Sequence, residues 1–457
     1  MWLSKGLPIL SWVFFGFAII GCRHAGPEGP ASGPQAAAPV TAVPSQPGAS
    51  SVAPAPDEQA TPAAAPASAS QALPFPQASS AFGLELYQKL GSSLQGNLAV
   101  SPVSISTALA MTWAGARGET QQQMTRALHL LGTANEVAVA ASDLTASLNA
   151  LNDKATTLSV QSALFVDQTC KLERAFVEVA SKQFKVPAQP VDFLNAAAAI
   201  RKTINSQVAK QTNERIPEIL PENSLGATTK AVVTNAVYFV GNWLSPFSRK
   251  HTRPGDFYVN GQTAQKVPMM DRKATFPYAA FEGVQILEMP YKGKGKDLSM
   301  LIVLPDERNG LRKIEQELAT ERLEGWLRSL QEKELLVQLP RFELRSTTPL
   351  KEPLEKLGMA VAFDDKKANF SGMSACGELF LDNVYHEVFV KVDEQGTEAT
   401  AATAGVMQMP IRARVVQRFI ADHPFLFAIR HRSSGTLLFL GRVVAPKSSL
   451  NSMETVH

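Results

Sequence analysis

The sequence predicts an α+β fold, and three observations carry that expectation. Apolar residues recur at helical spacing through the first half of the folded part. Short runs of β-forming residues bounded by turn signals fill the second half, and no segment repeats at a fixed period. Ala81–Leu90 and Ser104–Gly115 carry the helical spacing, with Asn97 and Ser101-Pro102 punctuating between them and Pro102 suited to a helix first turn. Glu119–Leu131, with Gly132 as its stop, and Ala196–Lys210 read as further helices. From about Thr229 the pattern turns to strands: Ala231–Val240, Leu298–Leu304, Leu335–Leu339, Val388–Val392, Phe425–Ile429 and Leu437–Leu440. No linker composition interrupts residues 79–446, so they read as one domain, followed by a tail, 447–457.

The 457 residues are 45% hydrophobic and 19% charged, an ordinary globular composition with ample apolar content for a core. A net charge of +3 is too balanced to imply nucleic acid or an acidic surface as partner. Cys22, Cys170 and Cys376 form no CxxC pair and no Cys/His metal spacing, so no metal or other cofactor is expected. Cys170 and Cys376 are expected as two buried free thiols, with a disulfide between them as the alternative outside the cytoplasm. The N-terminus reads as an export signal, 1–21: Lys5 supplies positive charge, and Leu7–Ile20 is an apolar run too short to span a membrane. Ile19-Ile20-Gly21-Cys22 resembles a bacterial lipobox, in which cleavage before the cysteine precedes lipidation of its thiol; a plain signal peptide is the other reading. Ala, Pro, Ser, Gly and Gln dominate the next stretch, and 22–78 reads as a tether that buries too little apolar area to offset its ordering entropy. The expectation is an exported cell-envelope or extracellular protein that meets a membrane only through a lipid anchor.

No GxSxG, HExxH, Walker or GxGxxG signature is present, and the seven histidines are scattered singly, so no catalytic residue is assigned. The feature that stands out is a long stretch after Lys391-Val392-Asp393, without clear secondary structure until strand signals resume near Phe419. Loops of that length inside a folded domain are uncommon, and are functional or disordered. Nearly every residue from Thr397 to Gly405 is small, so the stretch fits between strands of a close-packed sheet. Thr397, Ala399, Ala401 and Thr403 then share one face, and Glu398, Thr400, Ala402 and Ala404 the other, with Glu398 toward solvent. On composition alone an Ala-rich helix or inert linker stands even with this reading.

Glu394-Gln395-Gly396-Thr397-Glu398-Ala399-Thr400-Ala401-Ala402 resembles the reactive-loop hinge of the serpins. Further serpin-like motifs follow in family order. They include Asn97–Ser106 with Ala108–Met111, Gly115–Thr120, Thr234–Phe239 with Gly241-Asn242-Trp243 and Phe247, Val267–Met270, Asp422–Phe427 and Phe439–Val443.

The resemblance implies three β-sheets, eight or nine helices and an exposed reactive loop on a monomer. It implies an inhibitor of serine proteases, and less commonly of cysteine proteases, that is cut in its loop, forms a covalent acyl-enzyme and inserts the freed loop as a new central strand. A strand of about 14 residues rising roughly 3.3 Å each carries its end about 45 Å. Glu394, Gly396, Thr397, Glu398, Ala399, Thr400, Ala401 and Ala402 are the implied hinge. Ser101, Ser104, Asn235 and His386 match a polar cluster beneath the opening sheet, and Trp243 with Glu394 matches the place where insertion starts. Family spacing from Gly396 puts the scissile bond after Pro410, with Met409, Ile411 and Arg412 as further candidates. Gln395, Gln207 and Thr400 depart from the family pattern. Arg412, Arg414 and Arg418 read as a solvated loop face, with polyanion binding as the alternative. The other functional reading is a binding or chaperone-like protein of the same fold that does not inhibit.

Overall fold

The computed structural model describes residues 73–259, 261–377, 379–397 and 416–447. The first element among the described residues is helix α1 (Phe75–Ser93), which starts ahead of the expected domain start at 79: Phe75 and Ala78 are already buried, and a proline stands in the first turn. Strand β1 (Leu98–Val100) leads into α2 (Pro102–Gly115), which is buried on almost every side, as a helix apolar all round must be. Next come α3 (Gly118–Ala127), α4 (Ala134–Asn149), β2 (Thr156–Asp167), α5 (Arg174–Lys182), β3 (Ala188–Val191) and α6 (Phe193–Gln211). Thr133 and Glu136 close a reciprocal cap on α4. Helix α3 stops short of the expected Leu131. Leu130 N bonds Thr125 O in a wider turn that carries Leu128 and Leu130 into the core.

The strand-rich half contains β4 (Ala231–Asn242), β5 (Arg253–Val259), β6 (Thr263–Phe281), β7 (Val284–Pro290) and β8 (Leu298–Pro305). Helices α7 (Leu311–Gln316) and α8 (Thr320–Arg328) separate these from β9 (Gln331–Pro340) and β10 (Phe342–Pro349). After the short α9 (Lys351–Leu354) come β11 (Asn383–Val392), β12 (Gly396–Thr397), β13 (Gln417–Ile420), β14 (Phe425–His431) and β15 (Leu437–Val443). The described residues thus carry nine α-helices, in an α+β arrangement. None of the described helices is long and apolar enough to cross a membrane.

Hydrogen bonding joins the strands into two sheets where the resemblance implies three. One has the order β1-β15-β14-β8-β7-β6-β9-β13 with β5 on β6, and the other β10-β11-β12-β4-β2-β3. The count falls because β6 is shared. Its first part pairs with β5, its middle with β9 and its end with β7, so one long strand fuses two sheets that are otherwise separate.

The central strands of the six-stranded sheet, β4 and β11, are buried on both faces. Val233, Val237 and Phe239 of β4 and Val384, Val388 and Val390 of β11 face the main core. Val232, Ala236 and Tyr238 of β4 and Tyr385 and Phe389 of β11 face a second core, under Ile204 and Val208 of α6 and Ile216, Ile219 and Leu220 beyond it. Burial of both faces explains why β4 reads as a nearly continuous apolar run without alternation.

Candidate functional site

The site is built around a seam. β4 and β11 are parallel neighbours over seven residue pairs, from Asn383↔Val232 to Phe389↔Tyr238. Beyond those pairs the two strands part, and β12 lies between them, antiparallel to both. Thr397 pairs with Val392 on one side and with Gly241 on the other. Continuing the β4–β11 register upward also brings Val392 level with Gly241. The wedge therefore enters without sliding either strand along its axis, and the two residues that would face each other across the seam become the two partners of one inserted residue. A parallel ladder is slightly weaker per residue than an antiparallel one, so exchanging the β4–β11 pairing for two antiparallel pairings with an inserted strand is favourable.

Gly396 and Thr397 are held where the seam opens. A β-carbon at Gly396 would lie 1.9 Å from Gly241 O, so only glycine allows β12 this close to β4. Thr397 is fully buried, and its hydroxyl meets Tyr291 Oη at 2.8 Å. Tyr291 stacks on Trp243 with ring centroids 4.7 Å apart, and burial pushes its phenol pKa up. Trp243 N donates to Gln395 O at 2.8 Å and its indole Nε1 to Asp393 O at 3.1 Å, so one residue supports the turn through both its backbone and its side chain. Asp393 Oδ1 accepts from Gln395 N at 2.9 Å, which closes that turn. Burial, reinforced by the neighbouring Glu394, raises the Asp393 carboxyl pKa. Glu394 is buried, and its Oε1 accepts from Arg341 Nε at 2.7 Å, from Arg341 Nη2, and from Thr252 Oγ1 at 2.5 Å.

Lower on the core face, Ser101, Ser104, Asn235 and His386 come together beneath β4 and β11. Ser101 N donates to His386 Nε2 at 2.9 Å, which leaves the ring proton on Nδ1, donated to Asn235 Oδ1 at 2.6 Å. Asn235 Nδ2 donates to Ser104 Oγ at 2.5 Å and to Ser162 Oγ at 2.6 Å. Complete burial holds the His386 pKa down to about 3, so the ring is neutral. Asn235 and His386 are themselves paired across the seam, so the cluster spans it from below. Ser101 Oγ is buried without a hydrogen-bond partner.

The opposite face presents Glu387, next to His386 on β11. It is buried; Arg345 Nε lies 3.3 Å from its Oε1, and no well-aligned hydrogen bond reaches either carboxylate oxygen. Burial raises its pKa to about 7. Thr347 and Arg345 offset this only in part, and Glu218 adds like charge. The cover beyond α6 is fastened across the seam here: Tyr385 Oη donates to Ser224 O at 3.2 Å and Arg215 sits over the Phe389 ring.

Of the residues singled out in the sequence, Glu394, Gly396, Thr397 and Trp243 meet at the top of the seam and Ser101, Ser104, Asn235 and His386 at its middle. Glu398, Ala399, Thr400, Ala401 and Ala402, the scissile candidates Met409, Pro410, Ile411 and Arg412, and Cys22 lie outside the described residues. So do the leader, residues 22–72 of the tether, and 448–457 of the tail. Arg341, Thr252, Tyr291, Gly241 and Ser162 were not singled out; only Gly241, inside the quoted Gly241-Asn242-Trp243 motif, carried a visible signal. The two thiols expected to be free are a correction. Cys170 and Cys376 form a disulfide, with Cα atoms 5.1 Å apart across 206 residues of sequence. The fold brings the β2–α5 connector against the segment before β11, a proximity that spacing in the sequence does not reveal. Among the described residues no group of three or more His, Cys, Asp or Glu could hold a metal ion.

Comparison with known proteins places this geometry in a family. The model of the family Serpin (serine protease inhibitor) matches residues 77–446. The chain is 40% identical over 378 residues to the leukocyte elastase inhibitor of Bos taurus, covering 81% of this chain and 98% of that one. Among solved structures, Serpin48 of the insect Tenebrio molitor matches with TM-score 0.73 at 31% identity, over 82% of this chain and 98% of its own. Uncleaved ovalbumin matches with TM-score 0.74 at 28% identity, over 81% of this chain and all (100%) of its own.

Two outcomes follow from the seam. Gly396→Ala drives a methyl group into Gly241 O, so β12 leaves the sheet. Amide exchange at Thr397 should accelerate by at least about tenfold, and unchanged exchange would show that glycine is not required. An ionised Glu387 is penalised in the folded chain, so stability falls as pH rises from its ordinary 4.5 to about 7. Glu387→Gln removes that fall. In urea unfolding of the uncleaved protein the variant should gain on the order of 2 kcal/mol at pH 8 and little at pH 4; the same difference at both pH values contradicts the assignment.

Proposed function

Because this chain belongs to the serpin family, we propose that it is a suicide-substrate inhibitor of serine endopeptidases, with 398–415 as its bait and the β4–β11 seam as its trap. One observation carries the proposal: β12 is already seated between two parallel strands in a register that both sides share. The protease serine attacks the scissile carbonyl and forms an ester, and the new amino terminus departs. The acyl-bearing segment then continues from Thr397 down the seam before water can reach the ester, and carries the protease with it. The chain supplies no catalytic group of its own; the chemistry is the protease's.

On this reading the inserted strand keeps the registers that β12 begins. Extended from Thr397, they bring Ala399 between Val390 and Phe239, Ala401 between Val388 and Val237, and Thr403 between His386 and Asn235, all toward the main core. Thr400 falls between Phe389 and Tyr238, and Ala402 between Glu387 and Ala236, toward the α6 cover. Glu398 comes level with Lys391 and Val240, both partly exposed, where a carboxylate remains solvated and meets an opposite charge. The close-packed faces are what require small side chains.

The name of the bovine relative points to an elastase, which suits cleavage after Met409 or Ile411, whereas Arg412 suits a trypsin-like enzyme. Export is supported by the N-terminal signal and by the disulfide, since such bonds persist in oxidising compartments. Lipidation at Cys22 and the Ala/Pro/Ser-rich stretch after it would hold a monomeric inhibitor off an envelope surface.

Incubation with elastase, subtilisin and trypsin should give an SDS-resistant covalent complex with at least one, and Thr397→Arg should turn the protein into a plain substrate. Pro410 beside the cleavage position favours the second reading, a binding protein of the same fold. Loop cleavage by every protease without a complex or a gain in heat resistance would establish that reading instead. Cys22→Ser should move the protein from the membrane to the soluble fraction; an unchanged membrane fraction contradicts the lipid anchor.

A further inference from the structure

We propose that the Cys170–Cys376 disulfide is a redox latch on the seam: oxidised, it restrains the lower ends of β4 and β11 and slows strand insertion, and reduction releases them. The proposal rests on the inhibitory reading above and concerns how far and how fast the seam opens.

The disulfide joins the two sides of the seam. On one side, β2 is paired to β4 over eleven residues, from Thr156↔Gly241 to Val166↔Ala231. Cys170 follows directly: Cys170 N bonds Asp167 O, and Asp167 N bonds Lys230 O, each at 2.9 Å. Cys170 therefore moves with β4. On the other side, Cys376 lies in the segment that leads into β11. That segment is fastened to the body of the molecule at the α2–α3 corner, where Gly372 N bonds Gly115 O at 3.0 Å, Arg117 N bonds Asn369 O at 2.8 Å, and Asn369 N bonds Thr120 Oγ1 at 2.9 Å.

Hydrogen bonds also cross between the two sides near the disulfide. Glu173 N donates to Met373 O and Ser374 Oγ to Lys171 O, each at 2.7 Å, and Asp382 N donates to Ala231 O at 2.8 Å at the foot of the seam. Magnitudes separate these links. Admitting a strand widens the gap between β4 and β11 by about 5 Å. Hydrogen bonds can break and re-form during such a shift. A disulfide cannot stretch: its Cα atoms, now 5.1 Å apart, can separate to only about 7 Å. While it is intact, the lower seam opens only as far as the connectors on either side can distort.

Release is a two-electron reduction by a dithiol reductant. Its thiolate attacks the sulfur of Cys376, the partly exposed member of the pair, and the buried Cys170 leaves as a thiolate that takes up a proton. The second thiol of the reductant then displaces Cys376 as a thiol, and the reductant departs as its own disulfide.

The test uses the full chain in three forms: air-oxidised, reduced with dithiothreitol, and with Cys170→Ala or Cys376→Ala, the single variants serving as reagent-free controls. Thiol counting on the oxidised form should find neither Cys170 nor Cys376 free; two free thiols overturn the proposal. With a protease that forms the covalent complex, inhibitor consumed per protease in excess of one measures hydrolysis against insertion. That excess should fall about tenfold on reduction and in both variants, the change produced by about 1.4 kcal/mol of barrier. Equal excess in oxidised and reduced forms, with a heat-resistant cleaved product from both, means that the foot of the seam is a pivot and overturns the latch. If neither form gains heat resistance after cleavage, the inhibitory reading fails and the latch falls with it.

Discussion

Everything distinctive about this molecule depends on one joint, the parallel pairing of β4 with β11. Both strands are buried on both faces, so their backbone groups must be paired within the sheet. At the lower end they pair with each other, and at the upper end with β12. The same backbone groups can therefore be satisfied in two ways, by closing the seam or by filling it. Filling it exchanges one parallel ladder for two antiparallel ones. The closed arrangement persists because the strand that would fill the seam is joined at both ends to the fold, so an intact chain is held by a kinetic barrier.

The two faces of the seam are tuned in opposite directions. His386 is neutral, and the core beneath it disfavours its charge, so acid opposes the folded state at this point. Glu387, the next residue, resists ionisation under the α6 cover, so alkali opposes it there. A strand must alternate its side chains, and here alternation puts a buried base and a buried acid on opposite faces of the same moving strand. Both groups lie across from β4, Asn235 beside His386 and Ala236 beside Glu387, where a passing strand must break their surroundings.

Much of this was legible in the sequence. The half-helical, half-strand pattern holds, and the long buried runs of β4, β8 and β15 stand out because burial on both faces leaves no polar alternation. The hinge was legible through its resemblance to the family motif: apart from Glu398 the residues of Gly396–Ala402 are small, but composition alone left a helix or an inert linker even with an inserting strand. Strand β2 was missed: Ser159, Gln161 and Ser162 break its apolar pattern, although it pairs along the whole of β4. The start of α1 was hidden by Pro74 and Pro76 next to a tether of similar composition. Arg341 and Thr252, which hold Glu394, were not legible, because a buried ion pair is made by folding distant segments together. The Cys170–Cys376 bond is the same case at a separation of 206 residues.

Amide hydrogen exchange along β4 and β11, compared before and after a single cut within 398–415, tests the seam most directly. The account predicts that protection rises in both strands together, as one contiguous zone from Val392 and Gly241 down to Asn383 and Val232. Protection unchanged in both strands after complete cleavage would contradict it.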